Sequence, residues 1–292
     1  MSAEPRFLND RLLRDATSWR CGGPCSLYCE PRSLDELRTA LEIARERGQA
    51  VKVIGSGTNV LVSDAGVDAL VLRLTGDFAK VEFSGTTVKA GAGAGFDHLV
   101  SICCKHGLAG LEQCSGIPGT VGGAVVGNAG VKGCWAGDRV RNVTVCTASG
   151  ELEILTGEEC GFGYRQSSIE GVLLSCEFDL EHAESQDLLE VADKARERRK
   201  EIPCTKTAGS VFKNPPSEPA GRLLDQVGMK GVREGGAYYS TAHANFIVND
   251  GGTARDIRNL MLAGQNAVRE KFKVELEPEV RLWGFDEEGG KL

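Results

Sequence analysis

The sequence predicts an α+β protein with more than one domain. Helical and strand-like periodicities alternate along 292 residues, enough chain for two or three units at roughly 100–200 residues each. Paired apolar runs around short glycine turns read as hairpins: Val81 to Ala90 turns at Ser84-Gly85, and Val140 to Leu155 turns at Ser149-Gly150. A composition of 41% hydrophobic and 26% charged residues is that of an ordinary folded chain.

Each element has a local reason. Ser33 followed by Glu36 is a capping-box pair, and Leu34, Leu37, Leu41 and Ala44 recur at helical spacing until Gly48. Val51 to Ile54 reads as a strand stopping at Gly55, Val60 to Val62 resumes it, and a further strand covers Val67 to Leu74. A helix from Asp97 to His106 follows the first hairpin. Gly171 to Leu180 reads as a strand and Gln186 to Lys200 as a charged amphipathic helix, with a domain boundary near residue 185. Ala220 to Val227 is a short helix ended by Gly228, Asn245 to Asn249 a strand, and Asn249-Asp250-Gly251-Gly252 a turn. Thr253 with Asp256 caps a helix running to about Lys271, and Val274 to Trp283 closes as a strand that sets Glu277 and Glu279 on one face.

A net charge of −7 disfavours nonspecific nucleic-acid binding, which needs clustered Lys and Arg. The basic run Arg196 to Lys200 reads as a solvated helix face. Met1 to Asp10 lacks the apolar core of a signal peptide and no apolar run nears the ~20 residues that cross a bilayer, so a cytoplasmic protein without membrane insertion is expected. Eleven cysteines, an odd number, then read as reduced thiols. Cys21, Cys25 and Cys29 have the spacing C-x3-C-x3-C with a Gly-Gly-Pro turn inside it, which suits no metal or cluster site, and no metal is expected elsewhere.

Glycine is the unusual residue, 38 of 292, about twice the ~7% of an average protein. Ile54-Gly55-Ser56-Gly57-Thr58-Asn59 follows a strand, and its consecutive N–H groups suit an anion such as a pyrophosphate. It lacks the Gly-Lys-Ser/Thr ending of a P-loop and the third glycine of a dinucleotide fingerprint, so a plain β-turn remains open. Ser115-Gly116-Ile117-Pro118-Gly119, then Gly122-Gly123, then Asn128-Ala129-Gly130 leave bare backbone along which an extended cofactor could lie. Tyr164-Arg165 offers a guanidinium in a glycine-flanked loop, able to clamp a carboxylate or to serve as a surface ion-pair partner. Gly209-Ser210-Val211-Phe212-Lys213-Asn214-Pro215 sets a hydroxyl after a glycine with a cation three residues on. His243 and Asn245 stand beside a strand, and Glu277 and Glu279 offer two carboxylates.

In order and spacing these segments closely resemble the UDP-N-acetylenolpyruvoylglucosamine reductases of bacterial cell-wall synthesis. The resemblance runs from Thr17-Ser18-Trp19-Arg20-Cys21-Gly22-Gly23 through the segments above to His243-Ala244-Asn245-Phe246 and Pro278-Glu279-Val280, over nearly the whole chain. It implies an FAD enzyme with the flavin-binding fold of the vanillyl-alcohol oxidases, in two subdomains at 1–75 and 76–185, and a C-terminal substrate-binding domain at 186–292. NADPH would reduce the flavin and give way to the enolpyruvyl sugar nucleotide. Hydride would then pass from flavin N5 to enolpyruvyl C3 and a proton to C2. The resemblance implies Ser210 as proton donor, with Arg165 and Glu279 on the substrate carboxylate. Glu279 fits if it is protonated and donates a hydrogen bond, since an ionised carboxylate would repel the substrate. Ile54 to Asn59, Ser115 to Gly119, Gly122, Gly123 and Asn128 to Gly130 would hold FAD. Tyr164, Lys213, Asn214, Arg222, His243 and Asn245 would meet the substrate, with Lys206 a further candidate. The chain fits the shorter branch of the family, without the inserted tyrosine loop, and a monomer or weak oligomer is expected.

Two other readings fit the same residues. A flavin oxidase acting on an alcohol or sugar would leave Ser210 and Glu279 without roles, and a sugar-nucleotide-binding protein without catalysis would be colourless even with FAD added. NADPH oxidation that requires the enolpyruvyl sugar separates both from the reductase.

Overall fold

A computed structural model describes residues 5–285. In chain order its elements are β1 (Phe7–Leu12), β2 (Pro24–Cys29), α1 (Leu34–Glu46), β3 (Ala50–Val53), β4 (Val60–Val62), β5 (Val67–Leu72), β6 (Val81–Ser84), β7 (Thr87–Gly91), α2 (Phe96–Lys105), β8 (Leu108–Ala109), α3 (Val121–Val126), β9 (Gly130–Val131) and β10 (Cys134–Trp135). They continue with β11 (Val140–Cys146), β12 (Leu152–Thr156), β13 (Val172–Asp179), β14 (Glu181–His182), α4 (Ser185–Arg199), α5 (Ala220–Gln226), β15 (Arg233–Glu234), β16 (Ala237–Tyr239), β17 (Ile247–Asn249), α6 (Ala254–Phe272) and β18 (Arg281–Trp283). The chain folds into two units. One takes the residues up to Asn9, Leu27–Gly55 and Ala69–Arg199; the other takes Asp10–Ser26, Ser56–Asp68 and the chain from Lys200 on.

The first unit is built on an antiparallel sheet of order β12-β11-β13-β7-β6. Alternation decides its faces: Val143, Val145, Cys176, Phe178, Val88 and Ala90 all point into one core and are essentially inaccessible. The same core takes Phe96, Leu99 and Val100 of α2 and Val121 and Val125 of α3. Charged α4 joins it through Leu188 and Ala192. In the same unit β3 runs parallel to β5, from Ala50↔Ala69 to Val53↔Leu72. Half of the expected capping box of α1 forms: the Glu36 amide donates to Ser33 Oγ at 3.3 Å, while the Glu36 carboxylate accepts from the Arg32 amide at 2.8 Å and not from that of Ser33.

The second unit packs its own core of Trp19, Phe212, Tyr239, Ile257, Leu260 and Met261. Its sheet is antiparallel β15-β16-β17, and β18 pairs in parallel with β4. Trp19 Nε1 donates to Ile247 O at 2.9 Å and Tyr239 Oη to Leu260 O at 3.2 Å, so both large polar rings are buried with partners. The Thr253–Asp256 capping box at the start of α6 is complete in both directions.

Two expected elements differ. The stretch 115–130 is not bare loop throughout, because Thr120 caps α3 by accepting from the Gly123 amide at 3.3 Å. Burial of Val121, Ala124 and Val125 at helical spacing outweighs the low propensity of Gly122 and Gly123. The strand expected over 274–283 is confined to β18, and Glu277 and Glu279 lie in extended chain outside any ladder.

Among the described residues no helix is long and apolar enough to cross a membrane, and no three His, Cys, Asp or Glu side chains gather as a metal ion would need. All eleven cysteines are free thiols and ten are buried. Burial pushes the thiols of Cys21, Cys29 and Cys103 up to about 12. Only exposed Cys204 is therefore expected to react within minutes with a maleimide at neutral pH, the other ten following on denaturation. Two or more fast thiols in the native protein would contradict this arrangement.

Candidate functional site

In the first unit the segments around Gly55 and 115–123 come together. A Cβ on Gly55 would stand 2.4 Å from Thr120 Oγ1, so the chain leaving β3 passes directly against the cap of α3. Ser115 is fully buried, and its hydroxyl has no hydrogen-bond partner among the described residues. Gly116 has φ +78 and donates its amide to Asp97 Oδ1 at 2.6 Å, while Arg199 Nε donates to Ser115 O at 3.2 Å. The loop is thus tied down by α2 and α4 while keeping one orphaned buried hydroxyl, which is what a site for a polar group of a ligand looks like. Ile54 is buried, 1% exposed, and its amide donates to Leu72 O.

Asn128 (φ +41) braces the next loop. Its Nδ2 donates to Gly163 O and its Oδ1 accepts from the Gly137 amide, both at 2.9 Å. That fixes the segment carrying Tyr164 and Arg165. Arg165 is half-buried with φ +58, and its Nη1 donates to Gly130 O at 3.0 Å. Its guanidinium carbon lies 5.2 Å from the Trp135 ring centroid and 5.6 Å from that of Tyr164. Burial lowers the affinity of Arg199 for its proton and the Arg165 charge acts in the same direction. Two guanidinium groups close enough to repel favour an anion beside them.

In the second unit Ser56 to Asn59 form the turn before β4. Their four amides donate to no group among the described residues, which suits an anion. Gly57 has a protein reason as well: with φ +64, a Cβ there would sit 2.0 Å from Ala16 O. Asn59 Nδ2 donates to Glu279 O at 3.1 Å, linking the turn to the Glu279 segment.

Ser210 sits on an extended segment held from two sides. On one side it bridges to Phe246, and Val211 donates its amide to Asn245 O at 2.9 Å. Asn245, 2% exposed, grips the next residue through both amide atoms, accepting from Phe212 N at 3.1 Å and donating to Phe212 O at 2.8 Å. On the other side Glu279 N donates to Val211 O and Lys213 N to Glu277 O. The two glutamates therefore part company: Glu277 is exposed and ion-paired with Lys213 at 2.5 Å, whereas Glu279 is half-buried next to the Ser210 segment.

A cavity of about 320 Å³ opens beside Ser210, lined among others by Asn214, Arg222, Lys230, His243 and Asn245. Burial first, then the Lys230 charge, holds His243 below its usual proton affinity. The neutral ring accepts the Asn245 amide at Nδ1, 3.2 Å away. Arg222 and Lys230 reach the cavity while paired with Glu218 and Asp225, each at 2.8 Å. Lys213 and Glu279 are not among its lining residues, and Lys206 is ion-paired with Asp250.

Sequence reasoning missed Lys230 and Trp135. Lys230 follows the helix-stopping Gly228 with no motif of its own, and Trp135 lies thirty residues from the arginine it touches.

Two family models match the chain, one in each half of the sequence. The family model for the C-terminal domain of UDP-N-acetylenolpyruvoylglucosamine reductase matches residues 200–283, and that for an FAD binding domain matches 25–156. A curated UDP-N-acetylenolpyruvoylglucosamine reductase of Rubrobacter xylanophilus is 42% identical over 281 residues, covering 94% of each chain. One from Symbiobacterium thermophilum is 41% identical over 280 residues, covering 94% of this chain and 91% of its own. The crystal structure of the same enzyme from Thermus caldophilus superposes with a TM-score of 0.86 at 36% identity, over 96% of this chain and 99% of that one.

Proposed function

This chain belongs to the UDP-N-acetylenolpyruvoylglucosamine reductase family, and from that premise we propose how its residues carry the reaction. It is an FAD-dependent oxidoreductase reducing UDP-N-acetylenolpyruvoylglucosamine with NADPH, in the supply of peptidoglycan precursor. We take it to act in the cytoplasm, without membrane insertion, as a monomer or weak oligomer.

The orphaned Ser115 hydroxyl and the loop from Gly116 to Gly119 fit the flavin, with Gly55 letting the chain from β3 pass close against the cap of α3. The chemistry that the flavin would supply when bound is transfer of a hydride equivalent from NADPH to C3 of the enolpyruvyl group. The chain supplies the rest. Electron density arrives at C2 and on the adjoining carboxylate, and Arg165 holds positive charge where it accumulates. Ser210 Oγ gives its proton to C2. A hydroxyl is a weak acid in water, but a carbanionic carbon is basic enough to take its proton once the two are aligned. The observation that carries this assignment is the two-sided grip on the Ser210 segment beside a cavity furnished with Arg222 and Lys230, cations suited to a sugar diphosphate. Purified protein should oxidise NADPH only when the enolpyruvyl sugar nucleotide is present; oxidation supported equally by oxygen alone would overturn the proposal.

Glu279 acts as a protonated donor to the substrate carboxylate. Glu279→Gln is expected to lower the maximal rate at least about tenfold, glutamine being the weaker donor. A variant whose rate stays near wild type would remove this role.

A further inference from the structure

We propose that Trp135 is a positioning residue for Arg165, holding its guanidinium in place before the substrate carboxylate arrives; this rests on the role of Arg165 proposed above. The hairpin of β9 and β10 pairs Trp135 with Gly130, and the two present complementary groups to the same cation. Gly130 gives its carbonyl to Nη1 at 3.0 Å, and Trp135 gives a ring face at 5.2 Å. Tyr164 adds a second ring at 5.6 Å and meets the Trp135 ring edge-on, 89° between planes at 5.7 Å.

The hairpin is itself fixed. Trp135 N donates to Asp138 Oδ2 at 2.9 Å, Ala136 N to Ala129 O at 2.8 Å, and a Cβ on Gly130 would stand 2.7 Å from Trp135 Cα. Nothing larger than glycine lets the ring and the carbonyl approach this closely. At Arg165 the backbone is held in the left-handed region, φ +58, which costs an ordinary residue about 1–2 kcal/mol and persists only where the surroundings impose it.

The chemistry explains why aromatic faces suit this place. Arginine has four flexible side-chain torsions, and ordering them only as the substrate reacts would raise the barrier. The Gly130 carbonyl and the Trp135 ring face order the guanidinium without adding a negative charge of their own.

The test uses FAD-loaded full-length protein and follows two rates by flavin absorbance: bleaching by NADPH, then return of colour on adding the enolpyruvyl sugar nucleotide. Trp135→Leu is expected to slow the return of colour about 2- to 30-fold, the range that roughly 0.5–2 kcal/mol of cation–π attraction corresponds to. Trp135→Phe should stay within about 3-fold of wild type, since it keeps a ring face. Flavin content and the bleaching rate should be unchanged in both. Combined with Arg165→Met, Trp135→Leu should cause no further loss, because the cation it positions is gone. A wild-type return rate in Trp135→Leu, or losses that multiply in the double variant, would overturn the inference. So would bleaching, flavin content and melting temperature all falling together in both Trp135 variants. Wild-type behaviour of Arg165→Met would instead remove the reading on which the inference rests, and the inference with it.

Discussion

Ser210→Ala is expected to bind flavin and be bleached by NADPH at the wild-type rate, and to recover its colour with the enolpyruvyl substrate about 10²–10⁴-fold more slowly, the range general-acid groups contribute. The split follows from what the substitution removes. The Ser210 segment is held by backbone bonds and by Asn245, none of which involves the Ser210 hydroxyl, so the fold and the cavity should survive. The half-reaction with NADPH needs no proton at a substrate carbon. The one with substrate does, and alanine leaves C2 to be protonated by water. Ser210→Cys separates alignment from acidity, since a thiol is the stronger acid on a longer bond. Its recovery rate should lie between those of serine and alanine. A Ser210→Ala enzyme that recovers colour at the wild-type rate would remove Ser210 as the donor and direct attention to His243, on the same cavity.

Much of the fold was legible because its signals are local. The caps at Ser33 and Thr253 involve partners three residues apart, and the turns at Gly85 and Gly150 need only the positive φ that glycine supplies freely. The failures came where a local signal pointed two ways. Val274, Leu276, Val280 and Leu282 alternate like a strand, but Pro278 has no amide to donate, and the segment makes only a bridge from Phe212 to Pro278 before β18 begins. Val121-Gly122-Gly123-Ala124-Val125 looked like bare loop by composition, although its apolar residues stand at i, i+3 and i+4 behind a threonine cap. The least legible feature was the membership of Asp10–Ser26 and Ser56–Asp68 in the second unit. That membership rests on contacts such as Trp19 with Ile247, 228 residues apart, which no periodicity encodes. The Ser210, Arg165 and Glu279 candidates emerged from ordered motifs. What the motifs did not contain was the support around them: Asn245 on Phe212, Trp135 on Arg165, Lys230 in the cavity.

That support is where the second large effect is expected. Asn245→Ala should lower stability by about 2–5 kcal/mol, because it strips partners from both the N–H and the C=O of Phe212, and each buried unsatisfied group costs roughly 1–3 kcal/mol. Water cannot readily replace them, as Phe212 is 1% exposed and Asn245 2%. Urea titration should show an earlier midpoint with an unchanged slope, the mark of a less stable but equally compact protein. Ser210 is two residues from the loosened peptide, and a displacement of about 1 Å at a reacting group costs on the order of 100-fold in rate. The folded fraction should therefore also recover colour slowly with substrate. Asn245→Asp probes the same bonds with a charge. At neutral pH its carboxylate would face Phe212 O, lone pair against lone pair, and only the protonated form can donate there as the native amide does. Its folded-state pKa is thereby raised above the unfolded ~3.9, so the stabilising contribution is full below that value and is lost as pH rises through the folded pKa. The stability gap between Asn245→Asp and wild type should accordingly narrow on acidification. A gap that widens toward acid, or an alanine variant within about 0.5 kcal/mol of wild type that turns over normally, would show that the extended Ser210 segment holds its place without Asn245.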